Sequence, residues 1–143
     1  MRLIASVAAG LVAVTPVLSA AAQDAAEASA PAKASAEAVV VQRHVDAYKA
    51  RDMKAFLQTF TADAVVNYDG LEFRGYSEIR KIYSANFAPD APRMVIHSSG
   101  QDGSNVWIQT GYVFSNGEQM CCGLSEYTVE NGKITYLYVT GPR

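Results

Sequence analysis

The chain has 143 residues, with 12 Lys and Arg against 14 Asp and Glu and a formal net charge of −2. That length accommodates one domain with one core. A slightly acidic chain with no basic cluster excludes nucleic acid as the natural partner. The 50% hydrophobic content is inflated by an alanine-rich amino-terminal region and does not denote membrane character.

Met1–Ala22 reads as a secretory signal: Arg2 is the positive end, Leu3–Val14 the apolar run, and Pro16 precedes the small residues Ser19-Ala20-Ala21-Ala22. Cleavage after Ala20 or Ala22 satisfies the small-x-small rule, and an uncleaved anchor is the alternative. The expected location is periplasmic or secreted, with no stable membrane anchor after cleavage. Residues 23–35 are rich in Ala, Glu and Ser and lack apolar periodicity, which makes them a solvated, disordered linker. The folded domain is then 36–143.

Ala36–Ala50 is helical, with Val41, Val45 and Tyr48 on one stripe and His44 on the same side. Asp52 caps a short helix, Met53–Phe60, that buries Phe56, Leu57 and Phe60. Ala64–Tyr68 is a strand, and Asp69-Gly70 turns it into Leu71–Arg74. A third helix starts near Ser77 and Glu78, runs to about Phe87 and stops at Pro89, with Ile79, Ile82 and Tyr83 inward. Arg93–Ser99 is a strand and Gly100–Ser104 a turn. Three further strands occupy Asn105–Thr140, separated by Ser115-Asn116-Gly117 and Glu130-Asn131-Gly132. Asn-Gly between β-rich runs is a hairpin signal, because a type I′ turn needs positive φ at both central residues.

The order α-α-β-β-α-β-β-β-β predicts an α+β fold, a cone-shaped, curved antiparallel sheet packed with three helices around a pocket. In the middle run of the late meander, Met120, Cys122, Leu124, Glu126 and Thr128 alternate onto one face. A carboxylate in an apolar row is costly unless paired, neutralised or used. Glu126 is therefore a candidate catalytic residue, or else a structural partner of His44 or an arginine. His44 titrates near neutrality when unperturbed and can carry a proton; a satisfied core histidine is its other reading. Tyr68 is an aromatic candidate for the pocket wall.

Tyr48, Phe60, Phe73, Phe87, Trp107, Cys122 and Leu137 are candidate pocket lining. His97 is a further candidate whose side of the sheet the pattern leaves open. In the last strand, Thr135, Leu137 and Val139 alternate with Ile134, Tyr136 and Tyr138. If the first set lines the cone, the tyrosines form an outer face. Two histidines without ligand spacing predict no metal site, and no cofactor fingerprint occurs, so no cofactor is expected. Adjacent cysteines do not make a disulfide framework, and an ordinary bridge between strand neighbours is geometrically poor. Free thiols are the expectation for Cys121 and Cys122, with an intermolecular bridge or a reactive thiol as the alternatives.

Four segments carry a resemblance: Val40-Val41-Gln42-Arg43-His44-Val45, Phe60-Thr61-Ala62-Asp63-Ala64-Val65, Arg74-Gly75, and Glu78-Ile79-Arg80-Lys81-Ile82-Tyr83. The chain after residue 38 resembles the nuclear transport factor 2-like superfamily, in its SnoaL-like and ketosteroid-isomerase-like branch. The superfamily holds isomerases, dehydratases, cyclases, hydrolases, other lyases and non-catalytic binding domains. Position by position, the resemblance places His44 where ketosteroid isomerases carry a helix tyrosine and Glu126 where they carry a late-strand aspartic acid. Tyr68, next to Asp69, falls at the position of their base, and Tyr83 at that of a supporting tyrosine. With the base carboxylate missing, steroid isomerisation is not implied.

The resemblance implies a lyase, dehydratase or isomerase moving a proton on a small apolar or aromatic molecule. In it His44 and Glu126 are the proton carriers, and Tyr68 and Tyr83 orient substrate oxygen. The alternatives are a non-catalytic binding or accessory domain with the same pocket, or a protein–protein module using the outer tyrosines. Relatives commonly dimerise through the sheet, which implies a homodimer across Tyr136 and Tyr138.

Overall fold

The computed structural model describes residues 34–142; the expected signal segment and most of the expected linker lie outside them. Helix α1 (Ala36–Lys49) is capped by Ser35, whose side chain accepts from the Ala38 N–H, and α2 (Met53–Gln58) by Asp52, which accepts from the Ala55 N–H. Strands β1 (Phe60–Tyr68) and β2 (Leu71–Arg74) precede helix α3 (Gly75–Tyr83), and a 3-10 turn follows over Ser84–Phe87. The meander is β3 (Arg93–Asp102), β4 (Asn105–Val113), β5 (Gln119–Glu130) and β6 (Lys133–Thr140). This is the predicted element order with shifted ends. Phe60 opens β1 instead of closing α2, and α3 tightens into the 3-10 turn where it was expected to continue to Phe87.

The sheet runs β2-β1-β6-β5-β4-β3. Neighbours pair antiparallel except β1 and β6, which are parallel. The sheet is therefore mixed, because the chain closes by laying its last strand beside its first. Asn131 and Gly132 both take positive φ, as do Asp69 and Gly70, so both two-residue turns have the I′ character their sequence predicts. At the Asn116-Gly117 turn only Gly117 is left-handed. There Phe114 and Glu118 bond across a longer loop, a correction to the expected I′ turn.

Helix α1 crosses the sheet on the face that becomes the core. Phe56, Phe60, Ile79 and Ile134 are fully buried there with Val45, Val66 and Leu137. Burying a side chain of this size contributes roughly 1.5–3 kcal/mol. On β4 the inward row is Val106, Ile108 and Thr110, and on β5 it is Ser125, Tyr127 and Val129. On β6 the inward residues are Ile134 and Leu137, an odd spacing that a bulge produces. Val129 pairs with Ile134, but Thr128 pairs with Tyr136, so Thr135 is the extra residue. Leu137 is inward as expected and Tyr136 and Tyr138 are only half-buried, while Ile134, expected outward, is in the core.

Candidate functional site

His44 projects from α1 into the core and is 3% exposed. Phe56, Phe60 and Tyr127 surround its ring, with centroids 4.3, 5.0 and 5.3 Å away. Its Nδ1 lies 2.8 Å from Thr59 Oγ1. The Thr59 hydroxyl has one proton, and it donates this to the Phe56 carbonyl at 2.6 Å. Thr59 can therefore only accept from the ring, so His44 is protonated on Nδ1 and its Nε2 carries the lone pair. Burial in apolar surroundings pushes the His44 pKa down to about 3. The imidazole is neutral at any ordinary pH.

Around it stands a set of hydroxyls. His44, Tyr83, Thr110, Ser125 and Tyr127 line the inner end of a cavity whose other walls include Tyr48, Tyr68, Tyr112 and Asn86. Tyr48, Tyr68, Asn86 and Tyr112 also line an outer bowl with Pro92, Phe114, Met120 and Pro142. The bowl holds about 200 Å³. The cavity beneath it, His44 included, holds about 30 Å³, space for a water or a small polar group. Burial raises the pKa values of Tyr48, Tyr68, Tyr83, Tyr112 and Tyr127. All five phenols keep their protons and can donate.

The bowl is braced from outside. Arg51 donates to the carbonyls of Asn86, Ala88 and Ala91. Asn86 in turn donates from Nδ2 to the Tyr48 hydroxyl at 2.9 Å. Asp69 accepts from the Gly141 N–H and holds the end of β6 beside Tyr68; it is a turn residue. A larger groove of about 560 Å³ lies between α1, α2 and the Asn131-Gly132 turn, lined among others by Arg43, Asp46, Asp52 and Lys133. It has mixed charge and shares no lining residue with the histidine's cavity, although Thr59, the partner of His44, stands on its wall.

Of the residues expected to act, His44, Tyr68 and Tyr83 meet in this cavity, and Tyr48 lines it as expected. Glu126 does not. It is exposed and pairs with Trp107 and Tyr138, while its neighbour Tyr127 faces His44. The Thr135 bulge explains the difference. Continuing the turn's register without it would set Glu126 beside Leu137 on one face, whereas the extra residue makes Tyr127 the partner of Leu137. The expected His44–Glu126 pair is therefore corrected: the two lie on opposite faces of β5.

Trp107 also belongs to the outer face, half-buried against Gly100. His97 lies on that side too, its imidazole over Gly111. Phe60 and Leu137 are core rather than lining. Phe87 packs behind Tyr48 and Phe56, and Phe73 is half-buried on β2 opposite Val66; neither lines the cavity. Cys122 is the extra residue of a second bulge, since Thr110 pairs with Gly123 and Gly111 with Cys121. The structure bonds Cys121 to Cys122, so they are not the free thiols expected.

Sequence reasoning passed over Thr59, Asn86, Thr110, Tyr112, Ser125 and Tyr127. Alternation held a signal for four of them: Thr110 and Tyr112 continue the inward row of β4, and Ser125 and Tyr127 are the row of β5 opposite the one chosen. Nothing local marks Thr59 or Asn86.

The SnoaL-like domain family matches residues 41–137. Among solved structures, the chain resembles a candidate polyketide cyclase from Sinorhizobium meliloti at 22% identity, covering 71% of this chain and 93% of that one, with a TM-score of 0.62. It also resembles a candidate ketosteroid isomerase from Kribbella flavida (12% identity, 76% and 78% covered, TM-score 0.66). A third similar structure, a nuclear transport factor 2-like protein of unknown function from Mesorhizobium loti, is 18% identical (73% and 89% covered, TM-score 0.64). At these identities the likeness speaks for the fold. No curated protein matches the chain.

Proposed function

The chain belongs to the SnoaL-like family of the nuclear transport factor 2-like superfamily, and on that premise we propose that it is a cofactor-independent lyase or isomerase moving a proton on a small, largely apolar or aromatic molecule. His44 accepts the proton on Nε2, and the buried tyrosines donate hydrogen bonds to the substrate oxygen that gains charge. The observation that carries this reading is the Phe56–Thr59–His44 relay, which leaves one unprotonated nitrogen among neutral donors.

A pKa near 3 marks a weak base. Proton abstraction changes that, because it places an anion beside the new imidazolium. At about 4 Å and an effective dielectric near 20 that pair gains about 4 kcal/mol, roughly a thousandfold in proton affinity. Phenol donors aimed at the developing oxyanion add to this. Charge is then stabilised only as the reaction creates it. Glu126 has no part in this version.

The test is exchange of α-carbon protons for deuterium in D2O, followed by NMR on small enolisable aryl ketones. Wild type is expected to catalyse exchange, His44→Phe to lose about a hundredfold or more, and Glu126→Gln to match wild type. Exchange surviving in His44→Phe would overturn the assignment. The rival reading is a binding or accessory domain. It draws on the absence of a carboxylate among the described residues lining the cavity, and ligand binding without exchange would favour it. We further propose export, on the amino-terminal pattern alone, and a homodimer through the face carrying Tyr136 and Tyr138.

A further inference from the structure

Three donors from two strands meet on the outer face of the sheet. The imidazole of His97 and the sulfurs of Cys121 and Cys122 lie with their ligand atoms within 4.8 Å of one another. His97 comes from β3 and the cysteines from β5, two strands that do not pair, with β4 between them. The contact is possible because of what stands on β4. Gly111 pairs with Cys121, and a Cβ built on it would lie 2.5 Å from His97 Nε2. The missing side chain is the space the ring occupies.

Both donor strands are also irregular at the donors. His97 is the extra residue between the pairs Ile96–Thr110 and Ser98–Gln109, and Cys122 the extra residue between Thr110–Gly123 and Gly111–Cys121. Bulges re-aim side chains that regular alternation would send elsewhere. A structural disulfide alone accounts for the two sulfurs. It does not account for an imidazole laid across a glycine to reach them.

We propose that His97, Cys121 and Cys122 form a site for one soft monovalent d10 cation, Cu(I), which opens when the Cys121–Cys122 bond is reduced. A thiol or phosphine reductant supplies two electrons, the S–S bond breaks, and each sulfur takes up one proton. Cu(I) binding then displaces those two protons and leaves the metal's oxidation state unchanged. Two thiolates and a neutral imidazole are soft and borderline donors that suit Cu(I). A trio of protein ligands leaves Zn(II) one short of the four it takes in a structural site. Reoxidation to the disulfide removes two of the three ligands.

The experiment is a competition titration of the full chain. Protein is reduced with a phosphine, freed of reductant without oxygen, and titrated with Cu(I) against a chromophoric chelator; untreated protein is run beside it. The expected result is one Cu(I) per reduced chain with a thiolate-to-copper charge-transfer band, and none in the oxidised chain. His97→Ala is expected to weaken retention by at least about tenfold, and Gly111→Ala to do so without removing a ligand. The double variant Cys121→Ser/Cys122→Ser is expected to abolish it. Because His97 is exposed, His97→Ala keeps the test alive should Gly111→Ala fail to fold. Failure of reduced wild type to retain Cu(I), equal retention by His97→Ala, or retention of Zn(II) in preference to Cu(I) would each overturn the proposal.

Discussion

On the helix-covered face of β4 and β5, Thr110, Tyr112, Ser125 and Tyr127 line one cavity together with a neutral histidine. On the open face of the same strands stand Trp107, Glu126 and the Gly111–Cys121 pair, with His97 reaching in from β3. Residues one apart in sequence thus belong to different chemistry. The inner face excludes standing charge and keeps its donors protonated through burial. The outer face is wet enough to carry a carboxylate and holds His97 with Cys121 and Cys122. The contrast teaches that the inner site works with uncharged groups whose value lies in where their protons sit, so orientation matters there more than charge.

The largest effect expected from this contrast is on acid stability. The folded state holds His44 near pKa 3, below its ordinary 6.5, so the unfolded chain binds more protons between those values. The stabilising contribution of the neutral ring is complete above about pH 6.5 and is lost as pH falls toward 3, at up to roughly 1.4 kcal/mol per pH unit. Denaturant unfolding from pH 7 to 4.5 should show this slope, and His44→Phe should lack that part of it while Glu126→Gln retains it. Equal slopes in wild type and His44→Phe would mean the ring is not held neutral.

A smaller effect probes orientation alone. Thr59→Val removes the acceptor for Nδ1–H and leaves a buried donor without a partner, at a cost of about 1–3 kcal/mol in the denaturant midpoint. Thr59→Ser should recover most of it. In the exchange assay Thr59→Val should lower the turnover more than the affinity. The smallest effect belongs to the outer face: Tyr136→Ser with Tyr138→Ser should leave monomer unfolding within about 1 kcal/mol and shift sedimentation toward the monomer. An unchanged sedimentation mass would remove that face as the dimer surface.

Helix α1 with His44 inward, the α2 cap at Asp52 and two of the hairpin turns were legible because each rests on residues within a few positions of one another. The mixed sheet was not, since the parallel β1–β6 pair joins residues some seventy positions apart. Glu126 shows the limit most clearly. Its row looked apolar, and period-two alternation is reliable along one strand, but which row faces inward depends on the neighbouring strand's register. One extra residue at Thr135 reverses that inference.

By itself, then, the sequence determined the order of elements, the fold class, and the histidine on the buried stripe of the first helix, because periodicity and turn chemistry are local. Tertiary structure alone decided the tautomer of His44, through a threonine fifteen residues away. It also decided the inward row of β5, through a bulge on β6, and the meeting of His97 with Cys121 and Cys122, through the side chain that Gly111 lacks. Each of these depends on a contact between segments distant in the chain, and no local pattern encodes such a contact.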